Sequence, residues 1–266
     1  MADGTVRAEI AVKPIRFLDD GAWRPIVTDL VPDAGPGTYV TASTSMTAEF
    51  SAPGTQDAPV ALSTDDYRLS MDYVGGERSP LVVMGDTARY VGVAPSTDLE
   101  YRALRDGIKE TVVLGSASAP ARHEFEIGFQ GLELRRDALG VAGFYRSGHS
   151  EPELVIGDLV VFDSSRDDES DEPAYCRDVT MTVEATGPGR ARVSYEVSRA
   201  WLEAPERVFP VHVDPTYSRD IDTFVSSAFP STTYNSSEEL KCGYYENAGH
   251  NRTYVRFDTD SIMPGS

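Results

Sequence analysis

Four histidines, two cysteines and 43 acidic side chains are the groups from which this chain could assemble an active or metal site. His123, His149, His212 and His250 stand in no HxH, HExxH or HxxxH spacing, so the sequence sets no two imidazoles on one metal. A lone histidine in a strand-rich chain reads as a surface or internally satisfied residue. Cys176 and Cys242 form no CxxC pair and read as two free, at least partly buried thiols. There is no GxSxG elbow. Gly35-Pro36-Gly37 and Gly187-Pro188-Gly189 lack the third glycine of a phosphate cradle and read as turns.

Two clusters offer other chemistry. The run from Asp163 to Glu172 gathers hard oxygen ligands, and Asp163, Asp167, Asp168 and Asp171 are the candidate ligands for calcium. It lacks the alternate-residue spacing and glycine of an EF-hand, and its plainer reading is a solvated loop between strands. Aromatic residues crowd the last fifth of the chain, and exposed tyrosine rings stack against sugar faces. Tyr234, Tyr244, Tyr245 and Tyr254 are therefore the candidate glycan-binding residues, the plainer reading being that most of these rings fill a core. Nothing singles out one Asp or Glu as a catalytic carboxylate.

The elements that must carry these groups are short strands. His123 to Phe129 places Phe125, Ile127 and Phe129 on one face, a period of two. Thr180–Glu184 and Arg192–Val197 repeat the pattern around the turn Ala185–Arg190, which predicts a hairpin. Further strands are expected at Tyr67–Tyr73, Leu81–Met84, Ala88–Val93, Leu99–Arg102, Glu110–Leu114, Leu154–Phe162, Val208–Val213 and Tyr254–Phe257. Ser198–Leu202 is at most one helical turn, stopped by Pro205. Strands at this spacing between turn residues predict an all-β protein, an antiparallel β-sandwich. A composition shift near Pro215 divides the chain into 1–215 and 216–266.

The chain has 266 residues, a formal net charge of -19 and a pI near 4.5. Phosphate backbones are bound largely through Lys and Arg, so this balance predicts no nucleic-acid partner and repulsion from anionic membranes. No apolar run is long enough to insert into a membrane as a helix, and no secretory signal stands at the N-terminus.

Several segments carry a family resemblance. Arg16-Phe17-Leu18-Asp19-Asp20-Gly21-Ala22-Trp23-Arg24-Pro25-Ile26 resembles the opening of the N-terminal region of large secreted actinobacterial Rhs/YD-repeat proteins, the wall-associated and polymorphic-toxin carriers. Tyr90–Val93, Leu99–Tyr101, Asp106–Leu114 and Phe125–Leu132 follow in the same order. Trp201-Leu202-Glu203-Ala204-Pro205-Glu206-Arg207-Val208-Phe209-Pro210-Val211-His212-Val213-Asp214-Pro215-Thr216 resembles the junction closing that region, and is the most specific match. Asp222–Val225, Pro230, Tyr234-Asn235, Leu240, Gly243, Tyr254–Asp258 and Ser261–Pro264 are similar to the start of a DNRLRE module, a β-sandwich assigned as carbohydrate-binding. The resemblance implies that 216–266 is a partial, jelly-roll-like β-sandwich, the truncated start of that module, with an upstream signal region and the rest of an Rhs-type polypeptide lying beyond this chain.

Together these readings predict a non-catalytic, extracellular or cell-wall-associated β module that serves presentation or attachment to a cell-wall glycan, with no cofactor. The alternatives are a polysaccharide lyase or glycoside hydrolase using Tyr, His and carboxylate groups, and a surface scaffold stabilised by calcium.

Overall fold

The structure is a computed structural model and describes residues 14–33, 35–55, 58–76, 79–137, 140–167, 173–218, 223–227, 241–245 and 249–254. Side-chain alternation decides most of its elements. In Arg122–Gln130, His123, Phe125, Ile127 and Phe129 are buried while Arg122, Glu126 and Gln130 are exposed, as a pleated strand with one covered face requires. It pairs antiparallel with Arg190–Val197 on one side and Arg68–Tyr73 on the other. The predicted hairpin forms from Val179–Gly187 and Arg190–Val197, with a bulge between Ala185 and Gly187. Its turn needs glycine at 189, where φ is +65° and a Cβ would sit 2.7 Å from the Phe129 carbonyl oxygen.

Two large sheets carry the fold. The first orders its eight strands Val179–Gly187, Arg190–Val197, Arg122–Gln130, Arg68–Tyr73, Val60–Ser63, Thr47–Ser51, Thr38–Ser43 and Val27–Pro32. The second runs Glu133–Arg136, Ala142–Tyr145, Leu154–Ile156, Thr216–Ser218, Gly107–Leu114, Thr97–Ala103, Thr87–Ala94 and Leu81–Met84. Val211–Asp214, Val160–Phe162 and Tyr175–Cys176 branch from it. The inner faces meet through aromatic pairs, Phe129 with Phe144 at 5.3 Å and Phe50 with Tyr101 at 6.0 Å between ring centres. Each such ring removes enough apolar surface from water to contribute about 2–3 kcal/mol. The expected all-β, antiparallel sandwich is the fold observed, and its described helix is the single turn Arg199–Leu202. No helix among the described residues is long and apolar enough to cross a membrane.

Strand ends differ from expectation for local reasons. Leu154–Phe162 is two strands, because Gly157-Asp158-Leu159 redirects the chain from pairing with Ala142–Tyr145 to pairing with Val211–Asp214 and Tyr175–Cys176. The strand expected from Val208 begins at Val211, after Pro210, which has no N–H for a ladder. Of the expected Tyr254–Phe257 strand, Tyr254 ends the strand Gly249–Tyr254 and the other residues lie outside those described. Cys176 is buried as expected, whereas Cys242 is exposed.

Near Pro215 the chain stays in register with one strand on both sides of the proline. Val112–Leu114 pairs with Val211–Val213, and Gly107–Lys109 pairs with Thr216–Ser218. Between them the Glu110 N–H donates to the Pro215 carbonyl at 3.2 Å. Tyr217 is fully buried in the core of the main sandwich. In the tail, Thr223–Ser226, Gly249–Tyr254 and Gly243–Tyr245 form a three-stranded antiparallel sheet.

Candidate functional site

Three groupings of polar side chains could carry function: a buried carboxyl between the sheets, a buried ion pair under the acidic loop, and an exposed aromatic face on the tail sheet.

The first is built on Gly107–Leu114. Ile108, Glu110, Val112 and Leu114 alternate onto the covered face, so the strand drives a carboxyl into the sandwich. Tyr101 lies directly opposite Glu110 in the ladder, and Tyr195 and Tyr217 are fully buried nearby, their hydroxyls 2.9 Å apart. Burial raises the Glu110 pKa to about 8; the Tyr195 and Tyr101 hydroxyls oppose the rise and the Asp214 charge adds to it. Neither carboxyl oxygen has a hydrogen bond of ordinary geometry, so the hydroxyls act on it as nearby dipoles. The carboxyl is therefore predominantly neutral at pH 7. Burial also raises Tyr101, Tyr195 and Tyr217, keeping all three as neutral phenols.

At the edge of this centre the Tyr73 hydroxyl and His123 Nδ1 are 2.9 Å apart, and His123 Nε2 is buried without a partner. Burial lowers the His123 pKa to about 4, so the ring is neutral. Tyr90 ties the two sheets together: its hydroxyl donates to the Pro59 carbonyl at 2.6 Å and accepts from the Ser51 N–H at 3.2 Å. A cavity of about 80 Å³ lies beside Tyr73, Tyr90 and Tyr101. Ligand sites usually need roughly 300 Å³ or more, so this one holds neither a sugar nor a nucleotide. The centre can keep a proton and fix the packing of two sheets, but no polymer reaches it.

The second grouping corrects the reading of the acidic loop. Asp163 is buried, not solvated. One carboxylate oxygen accepts from the Ser165 hydroxyl, the Ser165 N–H and the Ala174 N–H; the other accepts from Arg207 Nη1 at 2.8 Å and the Val208 N–H at 3.1 Å. Burial works against the charge, yet these hydrogen bonds prevail and the pKa is lowered. Arg207 is nearly enclosed, and its guanidinium lies 3.9 Å from the centre of the Trp201 ring. Thus Trp201 and Arg207 of the junction motif close onto Asp163. With both oxygens engaged by donors, Asp163 is not presented to calcium. Asp167 is exposed, Asp168 and Asp171 lie outside the described residues, and no three His, Cys, Asp or Glu converge among the described residues.

The third grouping holds the candidate tyrosines. Tyr244 and Tyr254 are exposed, at 67% and 54%, and share the tail sheet with His250, whose ring centre is 5.1 Å from that of Tyr244. Tyr245 lies in the same sheet, and Tyr234 falls outside the described residues. The sheet therefore brings Tyr244 and Tyr254 to one side of Gly249–Tyr254 as exposed rings, and these two do not fill a core. Elsewhere His149 is exposed on a turn, and His212 stacks on Phe162 at 5.1 Å. An open pocket of about 310 Å³ is lined by Tyr67, Arg68, Asp65 and Asp66, but the Tyr67 hydroxyl turns to Met46 Sδ at 3.5 Å and Arg68 pairs with Glu49 at 2.9 Å, so these groups do not converge as the lyase or hydrolase reading requires.

Sequence reasoning missed Glu110 and the role of Asp163. Glu110 had a readable signal, since an acid interrupts the apolar face Ile108, Val112, Leu114. Asp163 had none, because Ser165 and Ala174 by themselves do not announce burial, and Arg207 and Val208, which complete its site, lie more than forty positions away.

No family model matches the chain, and no solved structure does. Three known proteins resemble it in sequence. It is 24% identical over 283 residues to the tRNA nuclease WapA of Bacillus subtilis strain 168, covering 96% of this chain and 12% of that protein. It is 28% identical over 182 residues to the tRNA3(Ser)-specific nuclease WapA of Bacillus spizizenii, covering 64% of this chain and 8% of that protein. The tRNA(Glu)-specific nuclease WapA of Bacillus subtilis subsp. natto matches to the same extent. The chain spans about an eighth or less of the length of these relatives. Their names overturn the expectation of a non-catalytic, glycan-attached module that is no enzyme and has no nucleic-acid partner. The charge argument weighed these 266 residues alone, whereas the nucleases they resemble are many times longer.

Proposed function

We propose that this chain is a segment of a tRNA nuclease, and that the polypeptide to which it belongs cleaves tRNA. The observation that carries the reading is the similarity over nearly the whole chain to a protein named for that activity. The geometry supports a specific contribution: two sheets locked by Tyr90, Tyr195 and Tyr217 across their interface form a rigid body. Glu110 and His123, the described carboxyl and imidazole whose acidity burial shifts most, are enclosed in that body and serve its packing rather than a scissile phosphate.

Two further parts of the proposal rest on motifs. The Trp201–Thr216 junction supports a polypeptide of the Rhs/YD-repeat kind, and with it a place outside the cell or at its wall. A division of the chain near Pro215, crossed by the strand Thr216–Ser218, belongs to the same reading.

The test is to purify the full polypeptide that contains this chain and incubate it with total tRNA, following intact tRNA on denaturing gels. Loss of full-length tRNA, with ribosomal RNA spared, is expected. Intact tRNA after prolonged incubation at equimolar protein would sink the reading.

A further inference from the structure

We propose that the exposed face of the tail sheet is a stacking platform for an unpaired stretch of RNA. The inference deepens the tRNA reading and rests on it for the identity of the ligand.

The platform follows from strand alternation. Along Gly249–Tyr254, His250, Arg252 and Tyr254 are exposed while Asn251 is buried at 3%. Register then assigns neighbours to the exposed side: Tyr244 stands opposite His250, and Val225 opposite Arg252. Val225 is 45% exposed, and the next residue, Ser226, is buried opposite Asn251. One face is therefore covered, and the other presents two tyrosines, a histidine, an arginine and a valine together. Single exposed apolar residues are ordinary, but exposed rings gathered at neighbouring positions of one face are the pattern that marks an interaction site.

The ring positions suit nucleobases. Tyr244 and His250 form one adjacent pair of rings, and Tyr254 stands four residues along the strand from His250, about 13 Å away by strand rise. These are separate stacking positions for successive bases, with the Arg252 guanidinium between them to meet a phosphate. Every base has a π-face, so such a surface tolerates sequence, but only bases released from a duplex can lie on it. In a tRNA those are loops and the single-stranded end.

The stretch 216–266 carries seven Asp and Glu against four Lys and Arg, so charge by itself does not draw RNA to the tail. The described residues 223–227, 241–245 and 249–254 include Lys241, His250 and Arg252 and no Asp or Glu. With two fixed cations, few phosphates can be neutralised. Affinity therefore comes mainly from stacking, and log K should fall with log salt at a slope of only about -1.4.

The test uses the 266-residue chain and fluorescein-labelled oligouridylate, read by anisotropy at low salt, with unlabelled total tRNA as competitor. Saturable binding is expected, competed by tRNA and weakened about fivefold or more by Tyr244→Ala or by Tyr254→Ala. Tyr244→Phe keeps the ring and should bind within about twofold of the parent. Arg252→Gln should flatten the salt slope by about 0.7. Circular dichroism of each variant confirms that the sheets persist. Absence of saturable binding, binding indifferent to both alanine variants, or sedimentation with insoluble peptidoglycan in place of RNA binding would each overturn the platform. If the platform fails while the full polypeptide still cleaves tRNA, the nuclease reading stands without it. If the oligonucleotide binds as described while tRNA remains intact, the platform stands and the nuclease reading falls.

Discussion

Asp163 and Glu110 are both carboxyl groups with 1% or less of their surface exposed, yet at neutral pH the fold leaves the first ionised and the second neutral. Asp163 sits where a loop turns back on itself, so the Ser165 hydroxyl and the main-chain N–H groups of Val208, Ser165 and Ala174 converge on it and lower its pKa against burial, while the Arg207 guanidinium pairs with it. Glu110 sits inside a sheet whose N–H groups are already spent on the ladder, and it meets phenols and apolar side chains, with the Asp214 charge near enough to oppose its ionisation. Its pKa rises to about 8. Burial alone does not decide ionisation; the supply of unspent donors does. Loops have such donors to offer, and strand centres do not.

The largest effect expected from breaking this contrast is at Asp163. Asp163→Ala strands the enclosed Arg207 charge and three N–H groups, which should cost about 3–5 kcal/mol in urea unfolding. Asp163→Asn should recover only part of that, since an amide oxygen accepts hydrogen bonds but leaves the guanidinium unpaired.

Glu110 yields a pH signature of the opposite sense. Its folded pKa is raised, so its contribution is fully present below the unfolded value near 4.5 and is lost as pH rises through about 8. Glu110→Gln removes this dependence, and relative to parent it should gain about 3 kcal/mol between pH 4.5 and pH 7. A parallel stability profile for the two proteins over that range would show that the carboxyl is solvated.

His123 sharpens the same picture from the acid side. Its folded pKa is depressed to about 4, so its contribution is present above pH 6.5 and is lost as pH falls toward 4. Tyr73→Phe, which removes the hydroxyl at His123 Nδ1, should cost about 1 kcal/mol at neutral pH by thermal or urea unfolding.

The smallest effect belongs to the tail sheet. Tyr244→Ala and Tyr254→Ala remove exposed rings and should change stability by no more than about 0.5 kcal/mol. A larger loss would mean that these rings pack against something, contrary to their exposure.

Much of the sandwich was legible in the chain because a strand with one covered face writes its pattern locally. His123 to Phe129 and the Thr180–Val197 hairpin became strands with ends shifted by up to three residues, and Leu81–Met84 kept its bounds. The break within Leu154–Phe162 was not legible, since both halves are apolar and only their different partners separate them. The sites divide in the same way. Tyr244 and Tyr254 were marked by composition, while their sharing one open face with Arg252 depends on register. The acidic loop was marked by its charge, but the reading of Asp163 as solvated was wrong because Arg207 and Val208 are remote in sequence.

By itself the sequence determined the strand periodicity, the turns at Gly and Pro, and hence an all-β sandwich. It also carried, at Glu110, an acid on an apolar face. Only the tertiary structure decided which carboxylates are charged, which tyrosines are core and which are open, and that Tyr217 joins the main sandwich beyond Pro215. Periodicity is set by the pleat, a property of neighbours along one chain. Ionisation and exposure are set by what the other strands bring near, and that is fixed only once the sheets have closed on each other.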